Sequence, residues 1–302
     1  MLKLEVPTLK EVLKNSGGDE KLLEELLSKF RLWLKQQSHL PQDISDQRLK
    51  FFIYAVKFNF EKAKKKLDTL YTLRNLVPEF YENFDPFSDD INLFHTYFQN
   101  ICLPKLTPEG YRLYICRLIH GDTPICNAWT ILKYFMMIFE IGIEEDIVPE
   151  IVVVWDCTGT NINHVFKYTP SMLKKFDSCM AAYSLRIKAV YLIHAPKYID
   201  IFMKTAKSVM RAKLFDRIHV YTSGIESLYK TIPKAILPAD YGGEEPSMNI
   251  LTDMWLAKLA QQRDCLIKEG RRKTQESLRI NSIINPDELF GVSGTFRKLE
   301  LD

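Results

Sequence analysis

Four short apolar runs, separated by segments with helical periodicity, constrain the fold of this 302-residue chain more than any other feature of its sequence. Each run is rich in β-branched and aromatic side chains, as buried strands are. The four runs are residues 111–118, 150–156, 187–195 and 217–221. Apolar residues at helical spacing fill three segments between them, 128–141, 171–183 and 196–215. Alternating strands and helices predict an α/β unit with a mostly parallel sheet.

The first part of the chain predicts a helical unit of its own. Leucine and aromatic residues recur every three or four positions in three segments, 19–37, 44–58 and 59–78. A polar, turn-rich stretch at 83–90 is a candidate linker, and a long helix is predicted at 248–268. We therefore expect three parts: an N-terminal all-helical domain (1–90), an α/β domain (91–245), and a C-terminal helix and tail (246–302).

Composition excludes several classes of protein. A chain that is 46% hydrophobic and 26% charged is typical of a folded protein, and a net charge of +3 is too small to indicate a nucleic-acid-binding protein. The sequence has no stretch of about 18 uninterrupted apolar residues and no N-terminal signal-peptide pattern. Its six cysteines lack paired spacing, which is typical of free, buried thiols. We therefore expect a cytoplasmic protein without a membrane span.

Sequence motifs for catalysis are missing. The chain has no glycine-rich phosphate loop, dinucleotide fingerprint or nucleophile elbow, and its six histidines lack metal-ligand spacing. Asp156 and His194 lie at predicted strand ends, where α/β active sites collect, but no nucleophile accompanies them. We interpret both as residues that stabilise turns. The sequence thus predicts no catalytic activity, no cofactor and no metal site.

Positive charge is concentrated near the starts of two predicted strands. Arg186 and Lys188 flank the start of the third strand, while Lys213 and Arg217 precede the fourth. A crossover connection brings the starts of both strands to the same edge of the sheet, so these four cations are predicted to form one patch. Arginine and lysine together suit a phosphorylated head group. The separate charge run at 62–66 is interpreted as a solvated helix face.

The segment 196–215 predicts a basic amphipathic helix. Its apolar residues fall within one arc of a helical wheel, and lysines fill much of the other side. Such a helix can cover a core, bind a partner, or meet a membrane surface. The residues of the apolar arc are Tyr198, Ile199, Phe202, Met203, Ala206, Val209, Met210 and Leu214.

Several blocks in order resemble the CRAL-TRIO (Sec14-like) lipid-binding family, and they are most similar to its branch of α-tocopherol transfer and retinaldehyde-binding proteins. The blocks are FNFEKAKKKL, VWDCTGTNINHVFKYTPSMLKKF, LRIKAVYLIHAP, the helix at 196–215, AKLFDRIHVY and IPKAILPADYGG. The tail GVSGTFRKLELD resembles that of the arthropod members. The resemblance implies a helical N-terminal domain and a CRAL-TRIO α/β domain. In that domain the sheet floors a hydrophobic pocket, which a mobile gate helix closes.

The resemblance also implies the site residues. The gate falls on 196–215, and the four cations match a cleft that binds phosphoinositide head groups, including those of phosphatidylinositol bisphosphate, in similar proteins. The predicted ligand-binding residues are Phe135, Met136, Phe139, Trp155, Phe166, Leu185, Ile187, Ile199, Phe202, Ala206, Val209 and Met210.

The sequence therefore predicts a carrier that binds a hydrophobic small lipid, such as a tocopherol, retinoid or carotenoid, and transfers it to phosphoinositide-containing membranes. Its association with the membrane surface is expected to be peripheral and transient. Three alternatives stay open at this point. They are a Sec14-type exchanger of phosphatidylinositol and phosphatidylcholine, an enzyme acting through Asp156 or His194, and an adaptor whose pocket stays empty.

Overall fold

The computed structural model describes residues 2–120, 126–280 and Phe290. The tail at 291–302 lies outside these described residues. Within them, the helices are α1 (Leu9–Ser16), α2 (Glu20–Lys35), α3 (Asp46–Ala55), α4 (Phe60–Leu76), α5 (Pro78–Tyr81), α6 (Asp89–Tyr97), α7 (Ala128–Glu145), α8 (Ile162–Phe166), α9 (Pro170–Ala182), α10 (Ile199–Val209), α11 (Ala212–Phe215), α12 (Glu226–Tyr229) and α13 (Met248–Arg271). The strands are β1 (Phe98–Leu106), β2 (Arg112–Leu118), β3 (Glu150–Asp156), β4 (Arg186–Ile193) and β5 (Ile218–Val220).

Side-chain caps define where the N-terminal helices begin. The Asp19 carboxylate accepts a hydrogen bond from the Leu22 amide at 2.8 Å, and the Asn59 side chain accepts one from the Lys62 amide at 2.9 Å. Each bond satisfies a backbone donor that has no partner within the helix. The apolar stripes of these helices then pack together around fully buried residues such as Phe30. The predicted helical N-terminal region is thus confirmed.

The five strands form one sheet in the order β1–β2–β3–β4–β5. β2, β3, β4 and β5 are parallel, and β1 pairs antiparallel with β2, so the predicted mostly parallel sheet is confirmed. β1 was not predicted from the sequence. It contains Pro104 and the polar Asn100, which obscure its strand pattern, and its position at the edge of the sheet tolerates the proline.

A buried ion cluster joins the N-terminal helices to the rest of the chain. The Glu140 carboxylate on α7 lies 2.6 Å from Arg48 of α3 and 2.6 Å from Arg74 of α4, and Arg74 also pairs with Glu269 of α13 at 2.8 Å. Burial alone would raise the pKa of Glu269, but the guanidinium groups of Arg48 and Arg74 hold it below its usual value. Each buried charge in this cluster has a partner of opposite charge. These pairs fix how α3 and α4 pack against α7 and α13.

Candidate functional site

An apolar cavity of about 140 Å³ lies over one face of the sheet. Alternate residues of β3 point into it, namely Ile151, Val153 and Trp155, and Val190 and Leu192 of β4 continue the same floor. Side chains two residues apart on a strand share a face, which explains why each strand contributes several of them. The parallel, buried sheet therefore forms the floor of the cavity.

Helices on three sides close the cavity. Phe135 and Phe139 of α7 form one wall, and their spacing of four residues places them on the same helix face. Leu173, Phe176 and Met180 form a second wall and follow the same helical spacing along α9. The third wall belongs to α10 and the residues after it.

The third wall is the predicted gate, and the structure divides it in two. The helix α10 ends at Val209, the backbone is extended at Met210 and Arg211, and the short helix α11 follows. Ile199 and Phe202 on α10, together with Met210, reach the cavity. The start of the gate is tied down by the Tyr198 hydroxyl, which donates to the Thr160 carbonyl.

Seven of the twelve predicted ligand-binding residues line this cavity. They are Phe135, Phe139, Trp155, Ile187, Ile199, Phe202 and Met210. Of the other five, Met136 and Ala206 are buried without lining it, and Val209 is half-buried at the end of α10. The Phe166 side chain is 62% exposed on α8, and Leu185 lies in a different pocket. Contact of any of these residues with a ligand stays a prediction.

Sequence reasoning did not select the wall formed by α9 or the residues of β3 other than Trp155. The signals were present, since 173, 176 and 180 follow helical spacing and 151, 153 and 155 follow strand spacing. Neither pattern shows which face of the helix or strand lies against the cavity. Packing across the whole domain determines that face.

Polar groups are few in the lining of the cavity. Thr160, His164 and Tyr168 supply them, and no Asp, Glu, Lys or Arg lines the cavity within the part of the chain that the structure describes. Burial raises the pKa of the Tyr168 hydroxyl well above its usual value, so this hydroxyl stays protonated. Such a lining suits a neutral ligand that is apolar over most of its length.

A second, basic cleft of about 370 Å³ adjoins the apolar cavity. Seven cationic side chains line it and no acidic one does, among the residues described. Met180, Ile187 and Leu214 line both spaces, so they form a shared wall. The cations of the cleft are Lys57, Lys62, Lys66, Arg186, Arg211, Lys213 and Arg217.

Three of the four predicted phosphoinositide-binding residues lie in this cleft. They are Arg186, Lys213 and Arg217, whereas the Lys188 ammonium lies over the Tyr111 ring, 4.8 Å from its centroid. The reason is a register shift in β4 beside Lys188: Ile151 pairs with Ile187, but the next residue of β3 pairs with Ala189. Such a bulge redirects the side chains on either side of it.

The cleft also draws on the N-terminal helices, which sequence reasoning did not anticipate. Lys62 and Lys66 belong to the charge run interpreted as a solvated face, yet both line the cleft, together with Lys57. Burial, together with the neighbouring cations Arg211 and Lys62, lowers the pKa of Lys66 to about 8. The cleft is therefore a place where positive charge is crowded.

Most of this charge is not neutralised by the protein. Arg186 pairs with Glu150 at 2.6 Å, and Arg211 pairs with Asp177 at 2.9 Å. The described residues place no carboxylate within 4 Å of the other five cations. A concave, cationic surface of this kind favours binding of an anion with several charges.

Asp156 and His194, the two polar residues predicted at strand ends, belong to one hydrogen-bonded cluster. The His194 Nδ1 atom lies 2.8 Å from Asp156, which also accepts hydrogen bonds from the Tyr241 hydroxyl at 3.0 Å and the Thr158 hydroxyl at 2.7 Å. Burial opposes ionisation, but the bonds from Thr158 and His194 lower the pKa of Asp156. His194 adopts φ +50°, a conformation in which histidine is enriched among non-glycine residues. The cluster lies at the end of β3, where the amide and hydroxyl of Thr158 both donate to Asp156 and hold the turn that follows the strand.

Neither a cluster of metal ligands nor a membrane-spanning helix occurs within residues 2–120 and 126–280. No group of three or more His, Cys, Asp or Glu side chains in residues 2–120 and 126–280 is arranged to hold a metal ion. In the same residues no helix combines the length and the apolar character needed to cross a membrane.

The structure thus has an apolar cavity under a helical cover, a basic cleft beside it, and a helical N-terminal region. Residues 99–243 match the family model described as CRAL/TRIO domain, and residues 19–91 match the model described as Pinta-like, UBA domain. Residues 99–243 of this chain therefore form a CRAL/TRIO domain.

Named relatives agree with this assignment. Proteins called alpha-tocopherol transfer protein-like from Homo sapiens and Pongo abelii are 27% identical over 240 residues, which cover 78% of this chain and 68% of theirs. Clavesin-1 of Rattus norvegicus is 22% identical over 209 residues, or 67% of this chain and 58% of its own. A solved structure titled "Crystal structure of Sfh5" superposes with a TM-score of 0.52 at 13% identity, covering 85% of this chain and 99% of that one. That last likeness shows the fold alone.

Proposed function

We propose that this protein is a non-catalytic carrier that takes a neutral, largely apolar lipid into the cavity and delivers it to membranes that contain phosphoinositides. The observation that carries the proposal is the shared wall between an apolar cavity and a cationic cleft. The apolar cavity suits the lipid cargo, and the cationic cleft suits an anionic head group on the target membrane. The names of the relatives agree with a tocopherol-like or other isoprenoid cargo.

The size of the cavity says how the cargo enters. Sites for small molecules are typically about 300–1,000 Å³, so a cavity of about 140 Å³ is smaller than a lipid cargo requires. The gate α10 must move outward for a lipid to enter. A cargo that buries about 400 Å² of apolar surface gains on the order of 10 kcal/mol, which offsets the cost of this movement.

The outer surface near the gate suits contact with a membrane. Phe166 on α8 is 62% exposed and Ile201 on the neighbouring α10 is 40% exposed, so two large apolar side chains face solvent on this side of the protein. Lys204 and Lys207, on the same helix as Ile201, are exposed as well. Apolar and cationic groups together favour the interface of an anionic membrane.

The cargo is identified by native mass spectrometry of the purified full chain after incubation with a mixed lipid extract. We expect one neutral lipid per protein, released on denaturation. Phosphatidylinositol or phosphatidylcholine in its place would make the protein an exchanger of the Sec14 type. A mass that stays bare would contradict the carrier and favour an adaptor, and chemical conversion of the bound lipid would show an enzyme.

The cleft is tested separately, by binding to vesicles with and without phosphatidylinositol 4,5-bisphosphate. Lys62→Gln with Lys213→Gln removes two cleft charges, each worth about 1 kcal/mol near an anionic surface, so we expect about 30-fold weaker binding. Lys14→Gln with Lys35→Gln is the matched control, because both lysines are exposed and lie outside the cleft. Equal losses in the two pairs would contradict a specific cleft.

A further inference from the structure

We propose that Arg211 is a latch that holds the gate closed on Asp177 and releases it when a phosphorylated head group occupies the basic cleft. This inference rests on the proposed function, and it supplies the link between the two spaces that the carrier needs. Its basis is the position of one residue that belongs to the gate, to the cleft and to a buried ion pair.

The ion pair is extensive for a single residue. The Arg211 Nε atom lies 2.9 Å from both carboxylate oxygens of Asp177, and its Nη2 atom lies 2.9 Å from Oδ1. The backbone amide of Arg211 also donates to Asp177 Oδ2 at 3.2 Å. Side chain and backbone of the gate are thus held by one carboxylate of α9.

The two partners differ in their access to solvent. The Asp177 side chain is 2% exposed, whereas the Arg211 side chain is 49% exposed and lines the basic cleft. An anion in the cleft can therefore reach Arg211 while the arginine is still bound to Asp177. The carboxylate cannot follow, because it is fixed on the buried face of α9.

Arg211 also lies where the gate can bend. The backbone is extended at Met210 and Arg211, between the end of α10 and the start of α11. Met210 lines the apolar cavity, and the next residue, Arg211, lines the cleft. Movement of the Arg211 side chain toward the cleft therefore acts directly on the residue that seals the cavity.

Charge determines which anion can open the latch. A phosphate monoester carries up to two negative charges and accepts paired hydrogen bonds from a guanidinium, so it competes with a single carboxylate. Lys57, Lys62 and Lys213 draw such an anion into the cleft. When Arg211 turns away, Lys66 is the cation placed to neutralise Asp177, because it interacts electrostatically with that carboxylate and donates a hydrogen bond to Ala181 on the same helix. A zwitterionic head group without net charge leaves the latch closed.

The test measures the hydrogen exchange of the Arg211 amide and of the gate, 196–215, in the full chain. The probe is inositol 1,4,5-trisphosphate, whose binding is followed by calorimetry. In the wild type we expect the probe to speed exchange of the Arg211 amide by about tenfold or more, as expected for the loss of a charge-assisted bond. In Asp177→Asn the same amide is expected to exchange fast without the probe and to respond little to it.

Two further variants keep the result interpretable. Asp200→Asn changes an exposed carboxylate on α10 outside the pair, and it should behave like the wild type. Should Asp177→Asn fail to fold, Arg211→Gln changes the half-exposed partner instead and is expected to give fast exchange in the gate without the probe.

The outcomes separate the latch from the proposed function. Probe binding with an unchanged Arg211 amide in the wild type would overturn the latch and leave the cleft intact. Absence of probe binding would overturn the head-group cleft, and the latch with it, but not the lipid cavity, which mass spectrometry tests independently. Wild-type exchange in both Asp177→Asn and Arg211→Gln would also overturn the latch.

Discussion

Phe202→Asp separates the two faces of the gate, and it is the sharpest test of the cavity. Phe202 lies on the inner face of α10, lines the cavity and meets the Tyr168 ring edge-on at a centroid distance of 5.9 Å. The preceding residue, Ile201, points outward and is 40% exposed. The same substitution at these two adjacent positions therefore places a carboxylate either against the cargo or in solvent.

The expected magnitude follows from the surroundings of each side chain. A carboxylate facing an apolar, ligand-filled cavity loses its hydration without gaining a partner, which costs several kcal/mol. We use about 3 kcal/mol, which corresponds to roughly a hundredfold weaker binding of the cargo. Phe202 packs on a small satellite cluster that includes Leu192 and Ile199, separate from the main core. Phe202 is also only half-buried, so solvent can reach the carboxylate without movement of the gate, and the thermal midpoint is expected to fall by only a few degrees.

The assay loads each variant from the same lipid extract and counts bound lipid by native mass spectrometry, with calorimetry for the thermal midpoint. Phe202→Asp should lose the cargo, while Ile201→Asp should keep it and bind vesicles more weakly. Full retention of cargo by Phe202→Asp would refute the assignment of α10 as the cover of the cavity. A fall of more than about ten degrees would show instead that Phe202 belongs to the core.

Three other predictions concern charge inside the fold. Both ring nitrogens of His95 are buried without a hydrogen-bond partner among the described residues, and burial lowers the pKa of His95 to about 4. Below pH 6.5 the unfolded chain therefore binds more protons at this histidine than the folded protein does. The free energy of unfolding falls by at most about 3 kcal/mol as the pH drops from 6.5 to 4. Urea titrations should show that His95→Leu removes this contribution. Because the pKa of Lys66 is lowered to about 8, its charge is present below that pH and lost above it. Affinity for inositol 1,4,5-trisphosphate should therefore fall about fivefold between pH 7 and 9 in the wild type and stay flat in Lys66→Gln, as calorimetry would show. Glu140→Gln leaves two buried arginines under-neutralised and should lower the free energy of unfolding by about 3–5 kcal/mol in urea, whereas Glu144→Gln, at a half-exposed partner, should cost about 1 kcal/mol or less.

The sequence predicted where helices and strands occur better than it predicted where a helix is broken. The gate was expected as one helix over 196–215, but the structure ends α10 at Val209. No proline or glycine marks the break, so local sequence gives no signal for it. The break coincides with the bond from the Arg211 amide to Asp177, a tertiary contact over 34 residues. Local periodicity cannot encode a contact of that range.

The residues of the basic cleft were also only partly predictable from local sequence. The cations that precede β4 and β5 were predicted to meet because the geometry of a crossover connection is general. Lys57, Lys62 and Lys66 were not placed there, because their position depends on how α3 and α4 dock on the α/β domain. The buried pairs of Arg48 and Arg74 with Glu140 fix that docking, and no pattern within either helix reveals it.

The small volume of the cavity is itself an argument for a latch. An empty apolar void destabilises a protein by about 24 cal/mol per Å³, so about 140 Å³ costs about 3 kcal/mol, and a void of 300 Å³ would cost about 7 kcal/mol. An unloaded gate that collapsed from a 300 Å³ void to about 140 Å³ would therefore gain about 4 kcal/mol. Flexible methionines at 203 and 210 favour this collapse, since they adapt to gaps of changing shape. Once collapsed, the gate opposes entry and release alike, and a carrier needs a signal that opens it only at the membrane. The exchange of Arg211 from a buried carboxylate to a phosphate in the adjoining cleft provides that signal.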